Sequence, residues 1–203
     1  PTIAAAYRDD TSRKNPVYVL DWGIGEGTAL GEIYNQLVRS EHVYDIKASN
    51  IKLIGLAEKG SRERYAKQYE ALEAKGIIIL EATEDETGDQ LKQALREKFG
   101  KDADQIRFDL IYSHAGLLHP VNEFAPAKAV AYLGQLAQML KPGAMLVTDL
   151  GSKLPTALKD AKKREDFQKQ YGLKDITVTP SAKIFNVLTA RRSNSEETRA
   201  TDW

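Results

Sequence analysis

Residues 17–31 read VYVLDWGIGEGTALG, and this stretch decides the fold. It opens with four apolar residues rich in β-formers, at positions 17–20, a composition typical of a buried parallel strand. Apolar residues recur at helical spacing from Leu30 onward. Between these two patterns, glycine occupies every second position, at Gly23, Gly25 and Gly27. The predicted order is therefore a strand, a glycine-rich loop and a helix.

The glycine-rich loop is a candidate ligand site. Glycine lets the backbone turn tightly and lets a ligand approach it without a Cβ in the way. The N-terminus of the helix behind the loop offers free N–H groups and the positive end of a dipole. A phosphate loop would need a Lys-Ser/Thr pair, and a dinucleotide loop would need glycine where Thr28 stands. Asp21, just before the loop, instead suits a nucleotide-like ligand that carries an amine.

Composition limits the class of protein. The chain has 203 residues, a formal net charge of zero and no cysteine. This length favours one domain with a substantial core, and zero net charge provides no field that attracts nucleic acid or membranes. The lack of cysteine excludes disulfides, thiolate metal sites and a cysteine nucleophile, and we predict no metal site. No apolar run approaches the roughly 18 residues of a membrane span, so we expect a cytoplasmic protein without a membrane partner.

Short apolar runs alternate with helical patterns along the rest of the chain. This alternation predicts a parallel sheet with helices on both faces. We expect a main domain at residues 17–190, an N-terminal tail or short lid at 1–16 and a polar tail at 191–203. A turn is predicted at residues 141–143 and a lysine-rich helix at 155–170. The further predicted strands cover residues 51–56, 77–80, 108–112, 145–148, 176–178 and 184–188.

Polar residues follow several of the predicted strands. Ligands of such sheets bind beyond the carboxyl ends of the strands, where the strand order reverses. Asp21, Glu58, Glu81 and Ser113 would all emerge at that edge, although they are far apart in the sequence. This convergence predicts a single site there.

Three segments together resemble the class I S-adenosylmethionine-dependent methyltransferases. The Asp-x-Gly-x-Gly-x-Gly spacing from Asp21 resembles the first motif of that family. FDLIYSHAGLLHP at 108–120 is similar to its fourth strand and following loop, and LKPGAMLVTDL at 140–150 to its Leu-Lys-Pro-Gly-Gly turn and fifth strand. The resemblance covers about residues 17–190. It implies an α/β, Rossmann-like, doubly wound seven-stranded sheet, mostly parallel, with an antiparallel strand in the C-terminal hairpin.

The resemblance also implies roles in binding S-adenosyl-L-methionine. The three loop glycines would let the backbone pass close to the methionine part, and Asp21 would help bind its ammonium, directly or through water. Glu58 would bind the ribose hydroxyls, although the family usually has its acid at the position of Ala57. Because adjacent strand residues point to opposite faces, this shift matters unless the strand has already ended. Glu81 and Ala82 would contact the adenine, and the main chain at Ser113 the methionine end.

The expected chemistry is transfer of a methyl group to oxygen or nitrogen of a small molecule. Such a reaction needs a positioned nucleophile and sometimes a base, for which His119 and His114 are the candidates. The Asn/Asp-Pro-Pro-Tyr/Phe motif of amino-methylating nucleic-acid and glutamine enzymes is absent after Tyr112. This absence and the lack of cysteine favour a small-molecule acceptor over nucleic acid.

Two other functions compete with this interpretation. The displaced acid at Glu58 and the absence of a clear base also fit a non-catalytic binding or scaffolding domain of the same fold. A nicotinamide dinucleotide dehydrogenase is disfavoured by the glycine spacing and by the lack of a second catalytic domain. Binding of S-adenosylhomocysteine or of NAD would separate these hypotheses.

Overall fold

The computed structural model describes residues 16–44, 47–82, 89–114, 126–150, 158, 160–180 and 186–193. Most of the predicted N-terminal tail and of the predicted C-terminal tail lies outside these residues.

The described chain forms seven strands and six α-helices, together with 3-10 turns at Ala48–Asn50 and Gly100–Gln105. The strands are β1 (Val17–Trp22), β2 (Ile51–Ala57), β3 (Ile78–Glu81), β4 (Phe108–Ser113), β5 (Leu140–Leu150), β6 (Leu173–Pro180) and β7 (Asn186–Arg192). The helices are α1 (Thr28–Tyr44), α2 (Ser61–Arg64), α3 (Ala66–Glu73), α4 (Asp89–Phe99), α5 (Pro126–Met139) and α6 (Ala161–Tyr171).

All seven strands belong to one sheet, in the order β3-β2-β1-β4-β5-β7-β6. The pairs from β3 through β5 are parallel, and β7 runs antiparallel to both β5 and β6. The predicted fold class is therefore confirmed. The chain runs outward from β1 through β2 to β3 and then returns to the other side of β1 with β4, so the strand order reverses between β1 and β4.

The strand pleat divides the core into two layers, one on each face of the sheet. In β1, Leu20 and Trp22 pack on one face, and Val17 and Val19 on the other. The first face is covered by buried residues of α4, α5 and α6, and the second by those of α1 and α3. Both faces of the parallel strands are thus buried, which explains why these strands read as continuous apolar runs.

Two boundaries predicted near the C-terminal half of the chain are wrong. The turn expected at residues 141–143 lies inside β5, where the pairing shifts between Phe108–Leu140 and Leu110–Met145. The irregular stretch includes Gly143, whose φ of 77° allows the bulge without strain. At the other end, β7 pairs through Arg192, so the last strand extends four residues past its predicted end at 188.

One predicted connection also differs from the structure. The sequence predicts a polar link from about His42, but α1 continues to Tyr44. The lysine-rich helix expected from residue 155 is described as α6, whose N-cap is Asp160. The Asp160 carboxylate accepts a hydrogen bond of 2.9 Å from the Lys163 N–H, which accounts for the start of α6 at this point.

Two helical glycines test the packing of the layers. A Cβ on Gly134 of α5 would lie 2.2 Å from the ring of Tyr171 in α6, whereas a Cβ on Gly31 of α1 would make an ordinary 3.5 Å contact with Leu72. We expect Gly134→Ala to lower the free energy of unfolding by roughly 1–3 kcal/mol through overpacking. The matched control, Gly31→Ala, should raise it by about 0.5–1 kcal/mol through helix propensity. Urea unfolding measures both, and equal effects of the two changes would contradict the packing of α5 on α6.

Candidate functional site

The glycine-rich loop follows β1 and is anchored on the end of β2. Gly23, Gly25 and Gly27 have φ angles of 84°, 51° and 85°, which other residues rarely adopt. The N–H groups of Gly23 and Ile24 both donate to the Leu56 carbonyl, each at 3.0 Å. The three glycines are thus required by the backbone conformation.

Two of these glycines face different surroundings. A Cβ on Gly27 would lie 2.3 Å from Leu72 Cδ1, so this glycine is needed for packing against α3. A Cβ on Gly25 would meet nothing within 4 Å, and Gly25 is exposed. The loop therefore packs tightly at Gly27 and leaves open space at Gly25, where a ligand could approach the backbone.

Asp21 lies at the end of β1, in register with Gly55 of β2 and Tyr112 of β4. The side chain is only 3% exposed, and this burial raises its pKa to about 7. Burial also raises the pKa of Tyr112, and the charges of Asp21 and Asp149 add to that rise. A carboxyl group whose pKa burial raises toward neutral pH is typical of a functional site.

Ser113 ties the end of β4 to the end of β1. Its buried hydroxyl donates a hydrogen bond of 2.9 Å to the Trp22 carbonyl. Trp22 is itself buried, with its ring edge-on to Tyr132 of α5. The structure therefore brings Ser113 next to the beginning of the glycine-rich loop, and its proposed contact with a ligand through the main chain stays a prediction.

Glu58 lies just outside β2, because the strand ends at Ala57. The Glu58 side chain is exposed, and its carbonyl accepts a hydrogen bond of 2.9 Å from the Ser61 N–H. The strand pleat therefore does not dictate which way Glu58 points. Ala57 is buried among apolar residues, so a carboxylate at that position would have to be buried as well.

Glu81 and Ala82 already have partners within the protein. The Glu81 carboxylate accepts a hydrogen bond of 3.0 Å from the Arg62 N–H and lies 3.5 Å from Arg62 Nε. The Ala82 N–H donates to the Ala57 carbonyl at 3.1 Å and so continues the pairing of β3 with β2. Contact of these two residues with adenine stays a prediction, and any such contact would have to share or replace these bonds.

His114 and Asp149 form a pair that the sequence did not indicate. His114 Nδ1 lies 3.3 Å from Asp149 Oδ2. The His114 side chain is 60% exposed, whereas that of Asp149 is 4% exposed. A buried carboxylate can orient an exposed imidazole in this way, leaving its other nitrogen directed elsewhere. The second predicted base, His119, lies outside the described residues.

The comparisons with known proteins find similarity of structure only. No protein-family model and no curated protein sequence matches this chain. The carbon methyltransferases CurJ and DszA each superpose with a TM-score of 0.57, at 13% and 16% sequence identity, over 92% and 94% of this chain and 51% of each of those chains. An O-methyltransferase family protein from Burkholderia thailandensis superposes with a TM-score of 0.51 at 12% identity, over 95% of this chain and 55% of that chain.

These superpositions define the class of fold. The chain has the fold of the class I S-adenosylmethionine-dependent methyltransferases. It spans about half the length of the methyltransferase structures just described. Among the helices that the structure describes, none combines the length and apolarity required of a membrane span.

The buried Asp21 carboxyl should make stability depend on pH. Its pKa is about 7 in the folded protein against an ordinary 3.8, so between these values the folded state retains a proton that the unfolded chain has lost. The free energy of unfolding therefore falls as pH rises from about 4 to 7, and above pH 7 ionisation of Asp21 lowers it no further. Asp21→Asn lacks the titrating group. The difference in free energy of unfolding between this variant and wild type should therefore grow in favour of the variant by about 2–3 kcal/mol from pH 5 to pH 8, as measured by urea unfolding.

Asp109 provides the control for this experiment. Its carboxylate accepts a hydrogen bond of 2.9 Å from the Tyr18 N–H and pairs with Lys141 Nζ at 2.7 Å. Asp109→Asn breaks this ion pair and should destabilise the protein, in contrast to Asp21→Asn. If the difference between Asp21→Asn and wild type stayed constant from pH 5 to pH 8, Asp21 would ionise like an exposed carboxyl, and its burial would be wrong.

Proposed function

We propose that the protein is an S-adenosylmethionine-dependent methyltransferase that acts on oxygen or nitrogen of a small molecule. The observation that carries this proposal is the open backbone at Gly25, four residues after the buried carboxyl of Asp21 at the end of β1. An exposed glycine backbone suits close approach of a ligand, and a buried carboxyl suits an ammonium group of that ligand.

The position of this opening in the sheet supports the same proposal. The strand order reverses between β1 and β4, and the loop leaves the carboxyl end of β1 at that reversal. Ligands of doubly wound sheets bind in the crevice that forms there. The hydrogen bond from Ser113 to the Trp22 carbonyl holds the two strands together at the same point.

Other residues at this edge would contact the rest of the cofactor. Because Asp21 is almost fully buried, it would bind the ammonium most readily through a water molecule. Glu58 lies exposed beyond β2, where its carboxylate is available to ribose hydroxyls. Glu81 and Ala82 follow β3 and would lie beside the adenine, with the Glu81 carboxylate shared with Arg62.

The chain would contribute positioning and proton removal to the reaction. Bound S-adenosylmethionine would supply the electrophilic methyl group. His114 is the proposed base, because its imidazole is exposed near the end of β4 and is held by the buried Asp149. His119 remains a second proposed base. The zero net charge of the chain favours a small acceptor over a polyanion.

The first test is binding of S-adenosylhomocysteine and of NAD by calorimetry. We expect wild type to bind the former and not the latter, and Gly25→Val to abolish detectable binding because its side chain would fill the open space. The control is Gly76→Val, because Gly76 also has a positive φ and no atom within 4 Å of its Cβ position. Gly76 precedes β3, so it lies at the amino ends of the parallel strands, whereas the glycine-rich loop lies at their carboxyl ends.

This test separates loss of the site from backbone strain. A side chain at positive φ costs roughly 1–2 kcal/mol, so both variants should lose a similar amount of stability. Only Gly25→Val should lose binding. Normal binding by Gly25→Val would mean that the ligand does not contact this loop.

The second test concerns His114. We expect His114→Ala to lower kcat for a panel of phenols and primary amines by about 100-fold or more, with S-adenosylhomocysteine affinity unchanged. The assay is transfer of label from methyl-labelled S-adenosylmethionine, with His42→Ala as the control variant. Unchanged kcat would remove His114 as the base. Binding without turnover of any acceptor in wild type would favour the non-catalytic hypothesis.

A further inference from the structure

Tyr69 connects the core to the glycine-rich loop. Its side chain is fully buried on α3, and its hydroxyl donates a hydrogen bond of 2.6 Å to the Gly25 carbonyl. The two residues are 44 positions apart in the sequence. A hydroxyl fixed in the core therefore holds an exposed residue of the loop.

The Tyr69 ring is itself held in place by charged neighbours. The Arg62 guanidinium lies 5.8 Å from the ring centroid, within cation–π distance. Arg62 in turn donates to both carboxylate oxygens of Glu73, at 2.9 and 3.1 Å, and lies 3.5 Å from Glu81. Burial raises the pKa of Tyr69, against a smaller opposing effect of a hydrogen bond with Ser61, so the phenol keeps its proton at neutral pH.

The bond to Tyr69 sets the orientation of one peptide group. In a trans peptide the C=O and the following N–H point in opposite directions. Because the Gly25 carbonyl points toward Tyr69, the Glu26 N–H points away from α3, to the exposed side of the loop. Among the described residues, no backbone carbonyl accepts a hydrogen bond from this N–H. The Gly27 N–H donates to the Ile24 carbonyl at 2.7 Å and closes a turn around this peptide. A turn of this kind allows two orientations of its central peptide, so the bond from Tyr69 selects the orientation in which the Gly25 carbonyl points toward α3.

We infer that Tyr69 is a positioning residue for the cofactor: its hydroxyl fixes the Gly25–Glu26 peptide so that the Glu26 N–H faces the ligand. This inference rests on the proposed function. The Glu26 N–H would donate to an acceptor group of the ligand, such as the carboxylate of the methionine part. Tyr69 itself does not contact the ligand and acts only through the loop.

The test is Tyr69→Phe, which removes the hydroxyl and keeps the ring. We expect its affinity for S-adenosylhomocysteine to fall by about three- to tenfold, the effect of one hydrogen bond. The KM for S-adenosylmethionine should rise by a similar factor with kcat unchanged at saturation. The Tm should fall by no more than about 4 °C, because the freed Gly25 carbonyl is near solvent.

The control is Tyr65→Phe, because the Tyr65 ring lies 6.0 Å from that of Tyr69 and, in the part of the chain that the structure describes, of the two hydroxyls only that of Tyr69 hydrogen-bonds the loop. Unchanged affinity in Tyr69→Phe would overturn the inference. An equal loss in Tyr65→Phe, or a Tm loss well beyond the expected range, would overturn it too, because the role would then be in folding. If wild type itself binds no S-adenosylhomocysteine, the proposed function fails; normal wild-type binding with an unaffected Tyr69→Phe refutes only the role of Tyr69.

Discussion

The pairing of β1 with two strands that are distant in the sequence is the constraint on which the rest of the structure depends. Asp21 is in register with Gly55 of β2 on one side and with Tyr112 of β4 on the other. The chain must leave β1 toward β2 and later return to the opposite side, which creates a crevice at the carboxyl end of β1. The glycine-rich loop, the buried carboxyl and the end of β4 meet there for this reason alone.

The loop is held in shape by the protein itself. The Leu56 carbonyl accepts two of its N–H groups, Leu72 packs at Gly27, and Tyr69 binds the Gly25 carbonyl. Gly55 is part of the same arrangement, because a Cβ there would lie 2.7 Å from Ile24 and from Leu30. A loop that is ordered before its ligand arrives loses less conformational entropy on binding.

Much of the fold could be predicted from the sequence, because buried strands and amphipathic helices leave periodic patterns. The convergence of Asp21 and Ser113 followed from the rule that parallel strands end at one edge. The pairing of His114 with Asp149, and that of Tyr69 with Gly25, could not be predicted, because side-chain contacts across 35 or 44 positions leave no local pattern. The extension of β5 through residues 141–143 was missed since a Lys-Pro-Gly sequence indicates a turn and not a bulge.

The buried carboxyl of Asp21 has a consequence for the energetics of ligand binding. With a pKa raised to about 7, a substantial share of the molecules carries this proton at neutral pH. The ammonium of the proposed ligand would stabilise only the ionised form, so its binding would release the proton from those molecules into the buffer. The heat of binding would then include the ionisation enthalpy of the buffer, and two buffers at the same pH would give different heats for the same association.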